Sequence, residues 1–200
     1  MTAWNIWKLE PEASARSLQA HRGPACPVDD GTCDHLLGMR IPRVKLRSSK
    51  DRLVDVGEAS KRAVLFFYPR TGRPAVDPPK GWGLIAGARG CTPESCAYRD
   101  HHSEFVGLGY EVYGVSTQRS EDQKEFAARS DIQYEILSDS KLELTRALNL
   151  PTFEVEEIPV PLIKRLTIVV QDGIITKVFY PVFPPDKNAT EVLDFLRTQH

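Results

Sequence analysis

The sequence predicts an α/β fold in which a central mixed β-sheet is flanked by helices. Three observations point to this class. Residues 62–69 (RAVLFFYP) and 110–117 (YEVYGVST) are apolar runs of strand length, which are typical of strands buried on both faces. Segments with helical periodicity alternate with these runs. Further along, two apolar runs flank Asp172–Gly173, a dipeptide that favours a tight hairpin turn.

The other elements complete this order. Residues 43–49 and 51–56 alternate in polarity and predict an antiparallel pair, and 134–137 (YEIL) predicts a short strand. Helices are predicted over 92–108, 120–128, 140–148 and from Asn188 onward, with Ser120–Gln123 and Ser140–Glu143 as capping boxes. Pro151–Leu162 is predicted as a connection. A βαβ unit closed by an antiparallel hairpin and a helix is the thioredoxin-like arrangement.

Two segments stand apart from the predicted domain, which covers residues 37–200. Residues 1–36 are polar and irregular, and we interpret them as an N-terminal arm that lies on the domain. Residues 70–90 contain five glycines and three prolines and form an inserted loop before the next helix. A loop of this length inside a compact domain is uncommon and is usually functional or disordered.

Composition excludes several classes of function. The 200-residue chain has a formal net charge of −1, which argues against a general binder of nucleic acid or of membrane surfaces. It contains no run of about 18 apolar residues that could span a bilayer. The first residues lack a continuous apolar core and include Glu10 and Glu12, unlike a secretory signal. We therefore predict a cytoplasmic protein.

The stretch GARGCTPESCAYRD, residues 87–100, holds two cysteines five positions apart. Thr92 suits a helix N-cap and Pro93 the first helical position, so Cys91 is predicted at the mouth of a helix. Free N–H groups and the positive end of the helix dipole stabilise an anion there. Cys91 is therefore the better nucleophile, and Cys96 lies one turn further along.

The five-residue spacing is wider than a C-x-x-C redox pair and unusual for zinc. In an intact helix the two Cα atoms would lie about 8.6 Å apart, beyond the roughly 7 Å limit for a disulfide. A bond between these two cysteines would therefore require the first helical turn to unwind. The simplest alternative is that both are small buried hydrophobic residues.

Several stretches together resemble the peroxiredoxins, most closely the Q type, also known as bacterioferritin comigratory protein. They are FFYP, GCTPESCAYRD, GVST, ILSD, KRLTIVVQDG and VF, in that order. The resemblance covers roughly residues 38–197. It implies a thiol-dependent peroxidase that reduces hydrogen peroxide and organic hydroperoxides.

The resemblance also implies roles for individual residues. Cys91 would be the peroxidatic cysteine, which becomes a sulfenic acid, and Cys96 the resolving cysteine, which forms an intramolecular disulfide with it. A thioredoxin- or glutaredoxin-like reductant would reopen that bond. Arg165 would stabilise the thiolate and the polarised peroxide. No metal or organic cofactor is implied, and we expect a monomer or a weak homodimer.

The chain departs from the family pattern just before Cys91. The pattern Pro-x-x-x-Thr/Ser-x-x-Cys would place proline and threonine where this chain has Leu84 and Ala88. We hypothesise that Pro69 and Thr71 occupy the usual places and that the 70–90 loop bulges out between Thr71 and Gly90.

Other interpretations remain open from the sequence. Cys26 and Cys33 could ligate zinc with another pair or act as alternative resolving thiols, but zinc ligands are normally two to four residues apart, so we interpret the two as incidental. A thioredoxin-fold disulfide reductase would normally require C-x-x-C, which the chain lacks. The main alternative function is a redox sensor or binding module that uses the two cysteines as a disulfide switch without significant peroxidase turnover.

Overall fold

A computed structural model of the chain describes residues 26–59 and 61–199. Residues 1–25 of the predicted N-terminal arm lie outside the described residues. Within the described part, seven strands form one mixed sheet in the order β2-β1-β5-β4-β3-β8-β9, and β6 and β7 form a separate hairpin. In chain order the strands are β1 Lys45–Ser48, β2 Leu53–Asp55, β3 Arg62–Phe67, β4 Glu111–Ser116, β5 Glu135–Ser138, β6 Thr152–Val155, β7 Ile158–Ile163, β8 Leu166–Gln171 and β9 Ile174–Phe179.

The helices flank this sheet, as the sequence predicts. They are α1 Val56–Ala59, α2 Cys91–Asp100, α3 His102–Gly107, α4 Ser120–Arg129, α5 Glu143–Ala147 and α6 Asn188–Arg197. Strand β3 lies at the centre, parallel to β4 and antiparallel to β8. Its residues are buried from Ala63 to Phe67, because helices and loops cover both faces of the sheet there. The α/β, thioredoxin-like prediction is confirmed.

Two predictions about the bounds and type of elements are wrong. The helix predicted over 92–108 is interrupted at His101, so that α2 and α3 are separate. Pro151–Leu162 is not a simple connection, because it contains β6 and most of β7, which pair with each other. The prolines of β7 do not prevent this, since a two-stranded hairpin leaves one side of each strand without a ladder partner.

The two predicted capping boxes are also absent. The Ser120 hydroxyl donates to Glu121, and the Gln123 amide turns inward to Ser116. At α5 the cap comes from Asp139, whose carboxylate accepts the backbone N–H groups of Leu144 and Thr145. The charged carboxylate of Asp139 accepts hydrogen bonds more strongly than the neutral hydroxyl of Ser140 would. Asp139 therefore caps α5 in place of Ser140.

Apolar side chains fill both faces of the sheet. One cluster joins alternate residues of β3 and β8, including Leu65, Phe67 and Ile168, to Cys33 and Leu36 near the start of the described chain. The opposite cluster joins Phe66 and Tyr68 to the inner sides of α2, α4 and α6, and Cys91 belongs to it. Among the described residues, no helix has the length and apolar character needed to cross a bilayer.

A third, smaller cluster lies outside the main sheet. Trp82 and Ala88 of the 70–90 segment pack with Val155 and Leu162 of the β6–β7 hairpin. Trp82 sits in a short 3₁₀ turn, and its ring lies 6.3 Å from that of Phe153. The predicted inserted loop is therefore held on the hairpin by a core of its own, and this core lies immediately before α2.

Candidate active site

Helix α2 begins at Cys91, before Thr92, which the sequence predicts as its N-cap. Gly90 is the N-cap, with φ +98°, and its carbonyl accepts the N–H of Glu94 as the first helical hydrogen bond. Thr92 is consequently not the cap and Pro93 is not the first helical residue. Glycine suits this position for two reasons: its φ is positive, and a Cβ there would lie only 2.7 Å from Pro185 Cγ. Cys91 still lies at the positive end of the helix dipole, in the first turn.

The Cys91 thiol contacts Arg165, the arginine that the resemblance singles out. Arg165 Nη2 lies 3.1 Å from Cys91 Sγ, although 74 residues separate them in the chain. Cys91 is 4% exposed and Arg165 is 3% exposed, so solvent screens their interaction weakly. The sulfur also lies 3.6 Å from the Ala88 carbonyl. The site therefore pairs a sulfur at a helix start with a desolvated cation.

Backbone carbonyls fix the orientation of the Arg165 guanidinium. Its Nε and Nη2 donate to the Gly87 carbonyl at 3.3 and 3.2 Å, and Nη2 donates to the Arg89 carbonyl at 3.1 Å. Burial by itself would lower the pKa of Arg165, but Cys91 and Glu94 outweigh burial and raise it. The guanidinium therefore remains a cation in the interior.

Glu94 completes the buried charge cluster. Its Oε2 forms an ion pair with Arg165 Nη1, and Oε1 has no hydrogen-bond partner among the described residues. Burial raises the pKa of Glu94 to about 7, and Arg165 opposes part of the rise. The sequence contained a signal for this residue, since positions three apart on a helix share a face and Glu94 follows Cys91 by three.

Thr71 is buried, but its recorded partner is Gln118. Its N–H and Oγ1 donate to Gln118 Oε1 at 2.7 and 3.2 Å, and Gln118 Nε2 donates to the Thr71 carbonyl at 3.1 Å. Within the described chain, Cys91 Sγ is hydrogen-bonded to Arg165 and Ala88, not to the Thr71 hydroxyl. Sequence reasoning did not find Gln118, because it lies 47 residues from Thr71 in a loop without a motif.

The four cysteines are free thiols in different surroundings. Cys91 is buried and Cys96, in the second turn of the same helix, is partly exposed. The helix is intact between them, as the spacing argument predicts for the reduced state. Cys26 is exposed, whereas Cys33 is buried in the main core. Burial raises the pKa of Cys33 to about 12, so this thiol is a poor nucleophile near neutral pH.

The chain is similar to proteins of a known family over most of its length. The redoxin family model matches residues 36–193. The chloroplastic peroxiredoxin Q of Sedum lineare is 28% identical, over 80% of this chain and 77% of the relative. Peroxiredoxin bcp1 of Schizosaccharomyces pombe is 34% identical, over 61% of this chain and 57% of the relative.

A solved structure shows the same architecture. The crystal structure of peroxidoxin BcpB from Mycobacterium tuberculosis superposes with a TM-score of 0.66 at 25% identity, covering 82% of this chain and 97% of that one. The similarity therefore extends over nearly the entire length of that protein.

The buried charge of Glu94 generates a prediction about stability and pH. Its ordinary pKa of 4.5 rises to about 7 on folding. Between these values the folded protein binds the proton more tightly than the unfolded chain does, so the free energy of unfolding falls as pH rises, by up to about 1.4 kcal/mol per pH unit. Glu94→Gln lacks this titrating carboxyl group. We therefore expect its free energy of unfolding to rise relative to that of wild type as the pH increases from 5 to 7.

Urea unfolding of both reduced proteins between pH 5 and 8 measures this difference. Glu191→Gln, at an exposed position of α6, is the control and should run parallel to wild type. A difference between Glu94→Gln and wild type that does not change with pH would contradict the prediction.

Proposed function

The chain belongs to the redoxin family and is a peroxiredoxin, a thiol-dependent peroxidase, and from this premise we propose that Cys91 and Arg165 are its catalytic pair. The observation that carries the proposal is the 3.1 Å contact between Arg165 Nη2 and Cys91 Sγ in a buried site at a helix start. A fixed guanidinium donates to the sulfur, and one N–H of Nη1, whose partner among the described residues is Glu94, is left to donate to a peroxide oxygen.

The reaction proceeds in two chemical steps. The Cys91 thiolate attacks the terminal oxygen of the hydroperoxide, so that the O–O bond breaks and an S–O bond forms. Water or an alcohol leaves after taking up one proton, and Cys91 becomes a sulfenic acid. The Cys96 thiol then attacks this sulfur, water leaves, and a Cys91–Cys96 disulfide forms after the first turn of α2 unwinds.

A dithiol reductant closes the cycle. Peroxiredoxins use peroxide substrates and thioredoxin-like reductants, and we propose a thioredoxin- or glutaredoxin-like protein for this chain. Partly exposed Cys96 supports the proposal, because one sulfur of the disulfide is then accessible to an external thiolate. The cytoplasmic location and the monomeric or weakly dimeric state stay predictions.

Thr71 is proposed to bind the peroxide hydroxyl. Its Oγ1 donates to Gln118, so the lone pairs of the oxygen are left to accept a hydrogen bond from a peroxide O–H. The burial of Thr71 and its three bonds to Gln118 support a fixed orientation.

The two-cysteine scheme predicts which disulfide forms. After one equivalent of hydrogen peroxide, peptide mass mapping should find the Cys91–Cys96 linkage. Cys91→Ser should abolish the rapid reaction in stopped-flow measurements, whereas Cys96→Ser should leave Cys91 as a sulfenic acid that a sulfenic-acid probe captures. A linkage of Cys91 to Cys26 or Cys33 would assign the resolving role elsewhere. A wild-type rate no faster than that of an ordinary free thiol would favour the redox-sensor alternative.

The shape of the Arg165 side chain should matter as well as its charge. Arg165→Lys keeps a cation but lacks the fork that reaches Cys91, Glu94 and the backbone carbonyls together. We expect the rate of Cys91 oxidation to fall by about 100-fold. Arg89→Lys, an exposed neighbour, is the matched control and should react like wild type. Equal rates for Arg165→Lys and wild type would remove Arg165 from the mechanism.

The proposed role of Thr71 has a separate test. Thr71→Val keeps the side-chain shape but has no hydroxyl, and we expect a loss of about tenfold in the rate of reaction with hydrogen peroxide. Thr71→Ser retains the hydroxyl and should keep most of the rate. If Thr71→Val reacts as fast as Thr71→Ser, the hydroxyl does not bind peroxide.

A further inference from the structure

A cavity of about 450 Å³ lies between the 70–90 segment and the β6–β7 hairpin. Its lining includes Arg70, Val76 and Trp82 on the side of the segment, and Glu157 and Ile158 on the side of the hairpin. The volume falls within the range of about 300–1,000 Å³ that is usual for small-molecule sites. The catalytic scheme above makes no use of this cavity.

Two sides of the cavity are formed by parts of the chain that connect to the site around Cys91. Arg70 and Gly72 line it, and Thr71 lies between them in the chain. Trp82 lines it from the other end and belongs to the same apolar cluster as Ala88, whose carbonyl lies 3.6 Å from Cys91 Sγ. Thr71, Cys91 and Arg165 are not among its lining residues, but the lining includes both chain neighbours of the proposed peroxide-binding threonine and part of the segment that leads into Cys91.

Hydrogen bonds and an ion pair anchor the walls of the cavity. Arg73 forms an ion pair with Asp122, and Arg129 Nη2 donates to the Gly72 carbonyl at 3.0 Å. Across the cavity, the N–H of Lys80 donates to Glu157 Oε1 at 3.2 Å, which joins the segment to the hairpin. A site with fixed walls binds with a smaller entropy cost than one that must first be ordered.

The chemistry of the lining favours an uncharged, apolar group. Val76 is 62% exposed, and it lines the same cavity as Trp82, Ile158 and two prolines. The formal charges of the lining cancel, since Arg70 and Arg73 are matched by Asp77 and Glu157. A lining without net charge offers little attraction for a carboxylate or a phosphate.

We propose that this cavity binds the organic substituent of bulky, uncharged hydroperoxides, and so makes the 70–90 segment a specificity element of the peroxidase. The inference rests on the proposed function of Cys91. When the thiolate attacks the terminal oxygen and the O–O bond breaks, the other oxygen takes up a proton and leaves as the alcohol. The cavity holds the substituent of the substrate and then of that alcohol, whereas hydrogen peroxide, which has no substituent, does not use it.

Filling the cavity tests the proposal. Val76→Trp adds a large side chain at an exposed position, and we expect the second-order rate with cumene hydroperoxide to fall by about tenfold or more while the rate with hydrogen peroxide stays within about twofold. Leu84→Trp is the matched control, since Leu84 is 82% exposed on the same segment but does not line the cavity. This control should leave both rates unchanged.

A second comparison tests the charge of the substituent. Wild type should react faster with the methyl ester of a long-chain hydroperoxy fatty acid than with its free carboxylate, and Val76→Trp should remove that preference. Unchanged cumene hydroperoxide kinetics in Val76→Trp, or an equal loss with hydrogen peroxide, would overturn the proposal, as would a wild-type preference for the carboxylate. Failure of the proposed function would look different, because wild type would then react slowly with every peroxide, including hydrogen peroxide.

Discussion

The buried guanidinium of Arg165 is the interaction on which the rest of the site depends. A cation in the interior is costly unless charged and polar groups surround it. Here the carboxylate of Glu94, the sulfur of Cys91 and the carbonyls of Gly87 and Arg89 surround it. Removing the guanidinium would leave the buried carboxyl group of Glu94 without its ion-pair partner, so a single side chain supports both the local structure and the proposed chemistry.

The same cluster of buried charges stabilises the first turn of α2 and so opposes its unwinding. Cys91 and Glu94 both belong to the first turn of α2, and Arg165 holds both of them. Formation of the proposed Cys91–Cys96 disulfide unwinds that turn and therefore disturbs the ion pair. The reduced, peroxide-reactive conformation is thus stabilised by contacts that must loosen before the sulfurs meet. In the proposed cycle these contacts keep the two thiols apart until Cys91 is oxidised.

The 70–90 segment forms part of the protein surface near Cys91 and leaves the central sheet and its helices unaltered. One end is fixed through Thr71 and Gln118 near the start of α4, and the other through Trp82 on the β6–β7 hairpin. Gly90 then turns the chain directly into α2, packed so closely on Pro185 that a Cβ has no room. The segment can therefore carry a cavity between its anchors while Cys91 and Arg165 keep their geometry.

The sequence alone determined the class of fold, because strand and helix periodicity are local patterns, and its resemblance to the peroxiredoxins pointed to Cys91, Cys96 and Arg165 as candidate site residues. Only the tertiary structure decided the contacts that complete the site. Gln118 reaches Thr71 across 47 residues, Asp139 rather than Ser140 caps α5, and the β6–β7 hairpin covers Trp82. Each of these depends on which segments the fold brings together, and a buried polar group takes whichever partner lies within reach.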